Sequence, residues 1–457
     1  MTRQPHLKAR IRARMARTGE RYAVARDHIL AGGPGSAREP GPSNEDGPTP
    51  LGIRHFPGAH PETTALRIVA THAGVRDADG RPISEPLALV VGGGIGIGVF
   101  AFHYEKEAVS TFFVGGRHRW DDARGFLEDA ARRLGLESTV VESGGARQAA
   151  ARLDAAIAAG PAVAWVDLAE LGTRGYPADW SGGGYHVLVV YGRDPSTGDW
   201  LVGDLAPDPI AIAPDVLARA RARIVKQRNR LMTVTPAVGA VDTTGLAMPD
   251  LTAAIKAGLR ATVDGLRSPR TRNFGLDALA DWAARLDGRG RDAWARTFPR
   301  GRRLFAGLTA IQRFVECYGT GGGLLRPLFA AGLDEAARTT GDDRLAAIGQ
   351  RYAALGTAWS DLARAALPDE VPLLREARRI EAANARRYRE RGPAALDEIR
   401  AANGRLAEIE AASAIDFPLG DAAAGDLLAD LAARVRSIHA GETDALDELE
   451  ALARDAV

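Results

Sequence analysis

Residues Ile53–Arg67 read IRHFPGAHPETTALR, a turn carrying two histidines that runs straight into a helix. Gly58 supplies the bend. Pro61 stands at the first helical position, where its fixed φ suits the helix and its missing N–H would be an orphan anyway. Glu62 complements the positive end of the helix dipole, and Leu66, Val69 and Ala70 give an apolar face at helical spacing. A helix start of this kind is where a nucleophile is activated, because the dipole lowers a thiol pKa and backbone N–H groups can receive an oxyanion. Here that position is proline. His55, His60, Glu62, Thr63 and Thr64 surround it and are candidate substrate-binding residues.

At 457 residues the chain is too long for one ordinary core. An apolar share of 46% is ample for globular cores, and a net charge of +1 gives no general reason to expect nucleic acid or an anionic membrane as partner. A single cysteine, Cys317, excludes an intramolecular disulfide framework and a cysteine-rich zinc site. No apolar run is long enough for a transmembrane helix, and the first 30 residues lack the centre of a secretory signal. A cytoplasmic protein is expected.

Composition divides the chain in three. Residues 1–50 hold a basic segment, with Lys8, Arg10, Arg12, Arg14 and Arg17 among its cations, and then a Gly/Pro/Ser-rich linker. The basic part reads as a solvated helix or as an arm that docks on an acidic partner or on nucleic acid. Residues 51–235 alternate helix and strand. Asp121–Leu134 and Gln148–Ala159 have amphipathic helical patterns, Ser138–Glu142 a short strand and Pro161–Asp167 a buried strand. Tyr185–Gly192 and Asp199–Asp204 form two strands around the turn Asp194–Gly198. The glycines at 92, 93, 94, 96 and 98 lack the Gly-Lys-Ser/Thr of a phosphate loop and the third glycine of a dinucleotide fingerprint. Close backbone approach in a buried turn is the better account. Residues 236–457 are Ala-rich amphipathic helices, broken at Gly319–Arg326, with no fixed repeat.

His186 opens one strand and Asp204 closes the next. An antiparallel hairpin brings the two near each other, the geometry in which a carboxylate fixes the tautomer of a general-base histidine. A strand histidine is equally an ordinary core residue. A nucleophile near residue 61 would complete a triad of papain type. Thr64 offers a hydroxyl one turn along the helix, and His55, His60, Glu62 and His186 have types suited to a metal, though their spacing matches no standard site.

The segment HFPGAHPETTALR, Ser84-Glu85 ahead of the Gly-rich run, Gly160–Asp167 and His186–Asp194 resemble the N-terminal domain of the butirosin-biosynthesis protein H family. Tyr318–Arg326 and Trp359 resemble the domain of unknown function that commonly follows it. The resemblance implies an α+β, papain-like domain related to bacteriocin-leader peptidases, then an all-α domain. It also implies acyl transfer from a carrier thioester to an amine. His186 and Asp204 would be catalytic, and Pro61 would mark the place where such proteins usually carry cysteine. The partners it implies are an acyl carrier protein or peptide and a small-molecule amine, with no cofactor. It leaves two functions open: an acyltransferase working without a covalent nucleophile, or a pseudoenzyme that binds a peptide, carrier or biosynthetic partner through the same cleft.

Overall fold

A computed structural model of the protein describes residues 51–104, 109–177, 180–237, 249–290 and 292–455. The basic segment and linker expected over 1–50 lie outside the described residues. Helix α1 (Pro61–His72) starts where the sequence places it, with Pro61 at its first position and the His60 imidazole as its cap, accepting from the Thr63 N–H. Helix α2 (Glu85–Gly92) is capped by Ser84 and ends on Gly93 at φ 109°. Its residues Leu87–Val91 are completely buried, as expected of a helix apolar on every side. The glycines after it serve close packing. A side chain at Gly94 would meet Thr262 Oγ1 at 2.5 Å, and one at Gly96 would meet the Arg117 carbonyl oxygen at 2.5 Å.

Strands β1 (Ile95–Tyr104) and β2 (Val109–Arg117) form an antiparallel pair of their own. Next in the chain come α3 (Ala123–Arg133), β3 (Leu136–Val141), α4 (Ala146–Ala159), β4 (Ala162–Asp167), β5 (Tyr185–Arg193), β6 (Trp200–Gly203), β7 (Ile210–Ile212), α5 (Pro214–Arg223) and β8 (Leu231–Pro236). The six strands β3 to β8 make one antiparallel sheet in the order β3-β8-β4-β5-β6-β7. Strand β8 therefore inserts between β3 and β4, a placement no local pattern announces.

Alternation along the strands divides the interior in two. Val163, Trp165, Val187, Val189 and Tyr191 join a large core with α1, whereas Ala164, Val166, Leu188 and Val190 join a smaller one on the other face. The large core continues into the helical part: α6 (Leu251–Arg267), α7 (Gly275–Leu286), α8 (Arg302–Gln312), α9 (Arg326–Thr340), α10 (Arg344–Ala366), α11 (Pro372–Arg391), α12 (Leu396–Ile415) and α13 (Asp421–Asp455). An α+β region followed by an all-α region is the architecture. No helix among the described residues is long and apolar enough to cross a membrane.

Candidate functional site

The turn before α1 is held by one buried carboxylate. Glu85 accepts from the backbone N–H of Ala59 at 3.0 Å and of His60 at 2.8 Å, and from the hydroxyls of Thr63 and Thr64 at 3.0 Å each. Gly58 is required for this closeness, because a Cβ there would lie 1.8 Å from Thr64 Oγ1. Since His60 Nδ1 accepts from Thr63 N–H, its proton sits on Nε2, which reaches the Glu62 carboxylate at 3.0 Å. Arg117, almost wholly buried, pairs with the other Glu62 oxygen at 3.4 Å. Burial pushes the Glu62 pKa up, but Arg117 and His60 more than offset this and hold it well below the ordinary carboxylate range. Thr63 and Thr64 are almost fully buried and both hydroxyls are committed to Glu85. His55 is likewise occupied. Its Nε2 must donate to the Ala206 carbonyl at 3.0 Å, which leaves Nδ1 to accept from Tyr191 Oη at 2.7 Å. Burial lowers its pKa.

His186 and Asp204 do meet. Nε2 lies 2.8 Å from Asp204 Oδ1, and because a carboxylate only accepts, Nε2 is the donor. No side chain among the described residues hydrogen-bonds Nδ1, and no hydrogen bond joins His186 to residues 59–64. Alternation gives the imidazole the sheet face of Leu188 and Val190, opposite the face whose Val187, Val189 and Tyr191 join the core with α1.

Two residues absent from the sequence-derived set complete the cluster. Arg174 Nη2 donates to both oxygens of Asp204, at 2.8 and 2.7 Å, and Tyr388 Oη donates to Oδ2 at 2.7 Å. The guanidinium also stands over the Tyr388 ring, 4.4 Å from its centre. Burial opposes the charge on Asp204, but Arg174 and His186 overcome it and hold the carboxyl far below its ordinary pKa. Burial and then Asp204 push the Tyr388 phenol up, so it stays a donor. Arg174 sits in a loop without pattern, and Tyr388 is 184 residues from Asp204 on a helix of the other half. Neither carries a signal in the sequence.

Beside this cluster lies a cavity of about 620 Å³ whose wall includes Ala59, Arg174, Leu205, Tyr388, Cys317 and Gly319. Neighbours of Pro61, of His186 and of Asp204 thus share one crevice. Arg174 and Tyr388 contribute to its wall directly, whereas His186 and Asp204 do not. The Gly-rich turn after Cys317 covers the start of α1: a Cβ at Gly319 would lie 2.8 Å from Pro61 Cδ, and one at Gly321 3.1 Å from Ala59 Cβ. Burial and then Glu381 and Glu316 push the thiol pKa of Cys317 far up, which disfavours the thiolate that a substitute nucleophile needs.

Residues 60–205 match the family model described as butirosin biosynthesis protein H, N-terminal. Residues 215–413 match a second, described as a domain of unknown function (DUF4872). The chain thus carries a butirosin biosynthesis protein H N-terminal region followed by a DUF4872 region. The first match opens at His60, the cap of α1, and closes one residue after Asp204, so it encloses the whole imidazole–carboxylate pair. The second contains Tyr388, which donates to Asp204, and Gly319, which packs on Pro61. No curated protein matches the chain.

Proposed function

We propose that this protein, with its butirosin biosynthesis protein H N-terminal region, is a binding protein of natural-product biosynthesis that forms no acyl-enzyme. The observation that carries the reading is the start of α1. Proline occupies its first position, the flanking hydroxyls are bound to Glu85, and the Gly319 turn rests on the proline ring. Covalent acyl transfer needs a nucleophile within reach of its base, and the two hydroxyls on the first turn of this helix are bound to Glu85. The cavity beside it has the size and mixed lining of a small-molecule site. An acyl carrier protein or a peptide is the partner class that the family implies.

A second reading draws on the 2.8 Å His186–Asp204 bond. With Nε2 donating to Asp204, the neutral form of His186 would carry a general base's lone pair on Nδ1, and an already activated carrier thioester could be attacked directly by a deprotonated amine. One assay separates the two. The protein is incubated with an acyl-N-acetylcysteamine thioester and a primary amine, and the amide formed is compared for wild type and His186→Ala. The binding reading expects equal, background rates; a rate that falls at least tenfold in the variant establishes the enzyme instead.

A further inference from the structure

The cavity near the imidazole–carboxylate pair has a charge pattern of its own. Three of its arginines are neutralised: Arg174 by Asp204, Arg302 by Glu410 at 2.7 Å, and Arg313 by Glu381. Arg389, the fourth, has no carboxylate partner among the described residues, and it is only partly exposed. Among the described residues the cavity therefore presents one uncompensated positive charge. Its apolar character comes from Tyr176, Trp180 and Tyr318, whose rings pack on one another at centroid distances of 5.4 to 6.3 Å and line the same space. The nearby amides offer little further recognition, because Asn384 and Asn403 are bonded to each other and Asn403 to the Gly175 carbonyl.

The geometry points to a monoanionic ligand with an unsaturated, flat body: an aromatic carboxylate, its carboxylate on Arg389 and its ring against the Tyr176–Trp180–Tyr318 wall. A carboxylate matches the planar fork of an arginine in a bidentate pair. One free guanidinium balances one negative charge, which favours a carboxylate over a phosphate dianion. Aromatic rings prefer offset or edge contacts with such a wall, and 620 Å³ accommodates a ligand of that size. Cys317 lies in the same wall with its thiol un-ionised, so it adds no competing negative charge.

This inference rests on the binding reading above and names the ligand class. The test uses three probes that share one ring and differ in charge: indole-3-acetate, indole-3-acetamide and tryptamine, titrated calorimetrically into the full chain. The carboxylate is expected to bind about tenfold or more tightly than the amide, in line with a charge-assisted hydrogen bond, and the amine most weakly. Arg389→Gln is expected to erase the preference for the carboxylate while leaving the melting temperature unchanged, since Arg389 holds no carboxylate partner among the described residues. Trp180→Ala is expected to weaken carboxylate and amide alike. Equal affinities for the three probes, a preference that survives in Arg389→Gln, or no saturable binding of any probe would each overturn the assignment. The thioester assay is unaffected by any of these results, so the two proposals fail separately.

Discussion

At the scale of single residues, Asp204 is a buried carboxylate held by three side chains. It receives four hydrogen bonds, two from Arg174 and one each from His186 and Tyr388. Its folded pKa is depressed, so its contribution to stability is present above the unfolded carboxyl pKa of about 4 and is lost only as pH falls below that. His118 acts in a different window. Burial, followed by Arg133, Arg117 and Arg119, pushes its pKa down from 6.5 to about 4. Between those values the unfolded chain binds the extra proton, so stability is complete above about 6.5 and declines as pH falls toward 4. Urea denaturation between pH 7 and pH 4.5 is expected to show a loss of roughly 2–3 kcal/mol, because each pH unit inside that window removes about 1.4 kcal/mol. His118→Asn is expected to flatten that slope, and an unchanged slope would remove the assignment.

The same scale shows what was legible. His186 and Asp204 were readable because each stands at one end of a short apolar run beside a turn of known chemistry. Arg174, Tyr388 and the clamp role of Glu85 were not, because each acts through a contact made only when distant segments pack. The candidate substrate residues His55, His60, Glu62, Thr63 and Thr64 have the right chemical types. Hydrogen bonds that spacing cannot reveal tie all five to their own turn or to its neighbours.

Among the elements, the turn from Gly319 to Leu325 is the most constrained. Gly319, Gly321, Gly322 and Gly323 all have positive φ, and so do Leu324 at 50° and Leu325 at 70°, values that bulky residues rarely adopt. Arg326, fully buried, fastens the end of this turn by donating to Glu442 at 2.7 Å and to the carbonyls of Leu324 and Gly96. Gly319→Ala adds both a left-handed alanine and a contact on Pro61, and is expected to cost about 2–3 kcal/mol. Gly198→Ala, at φ 77° with open space around it, is the control for backbone conformation alone and is expected to cost about 1 kcal/mol. Thermal melts of the two variants measure the difference, and equal losses would mean that the turn does not press on the helix start.

In the molecule as a whole, the two family matches interlock. Strand β8 belongs to the second match yet completes the sheet of the first, between β3 and β4. The large core runs without interruption from Leu66 and Leu89 to Trp282, Trp359 and Leu431. Composition made the change of character near residue 235 visible, but a shared core leaves no mark on composition. A fragment of residues 51–213, lacking β8 and the helices that cover α2, is expected to show no cooperative thermal transition; a fragment that melts cooperatively would mean that the first region folds alone. The crevice that joins Ala59 to Tyr388 likewise exists only in the assembled chain.

Whether this crevice binds or reacts is decided most directly by intact-protein mass spectrometry after single-turnover incubation with an acyl-N-acetylcysteamine thioester. The account predicts a spectrum with the unmodified mass alone, in wild type and in Cys317→Ala. An acyl adduct at one equivalent that persists in Cys317→Ala and maps to residues 60–64 would contradict it.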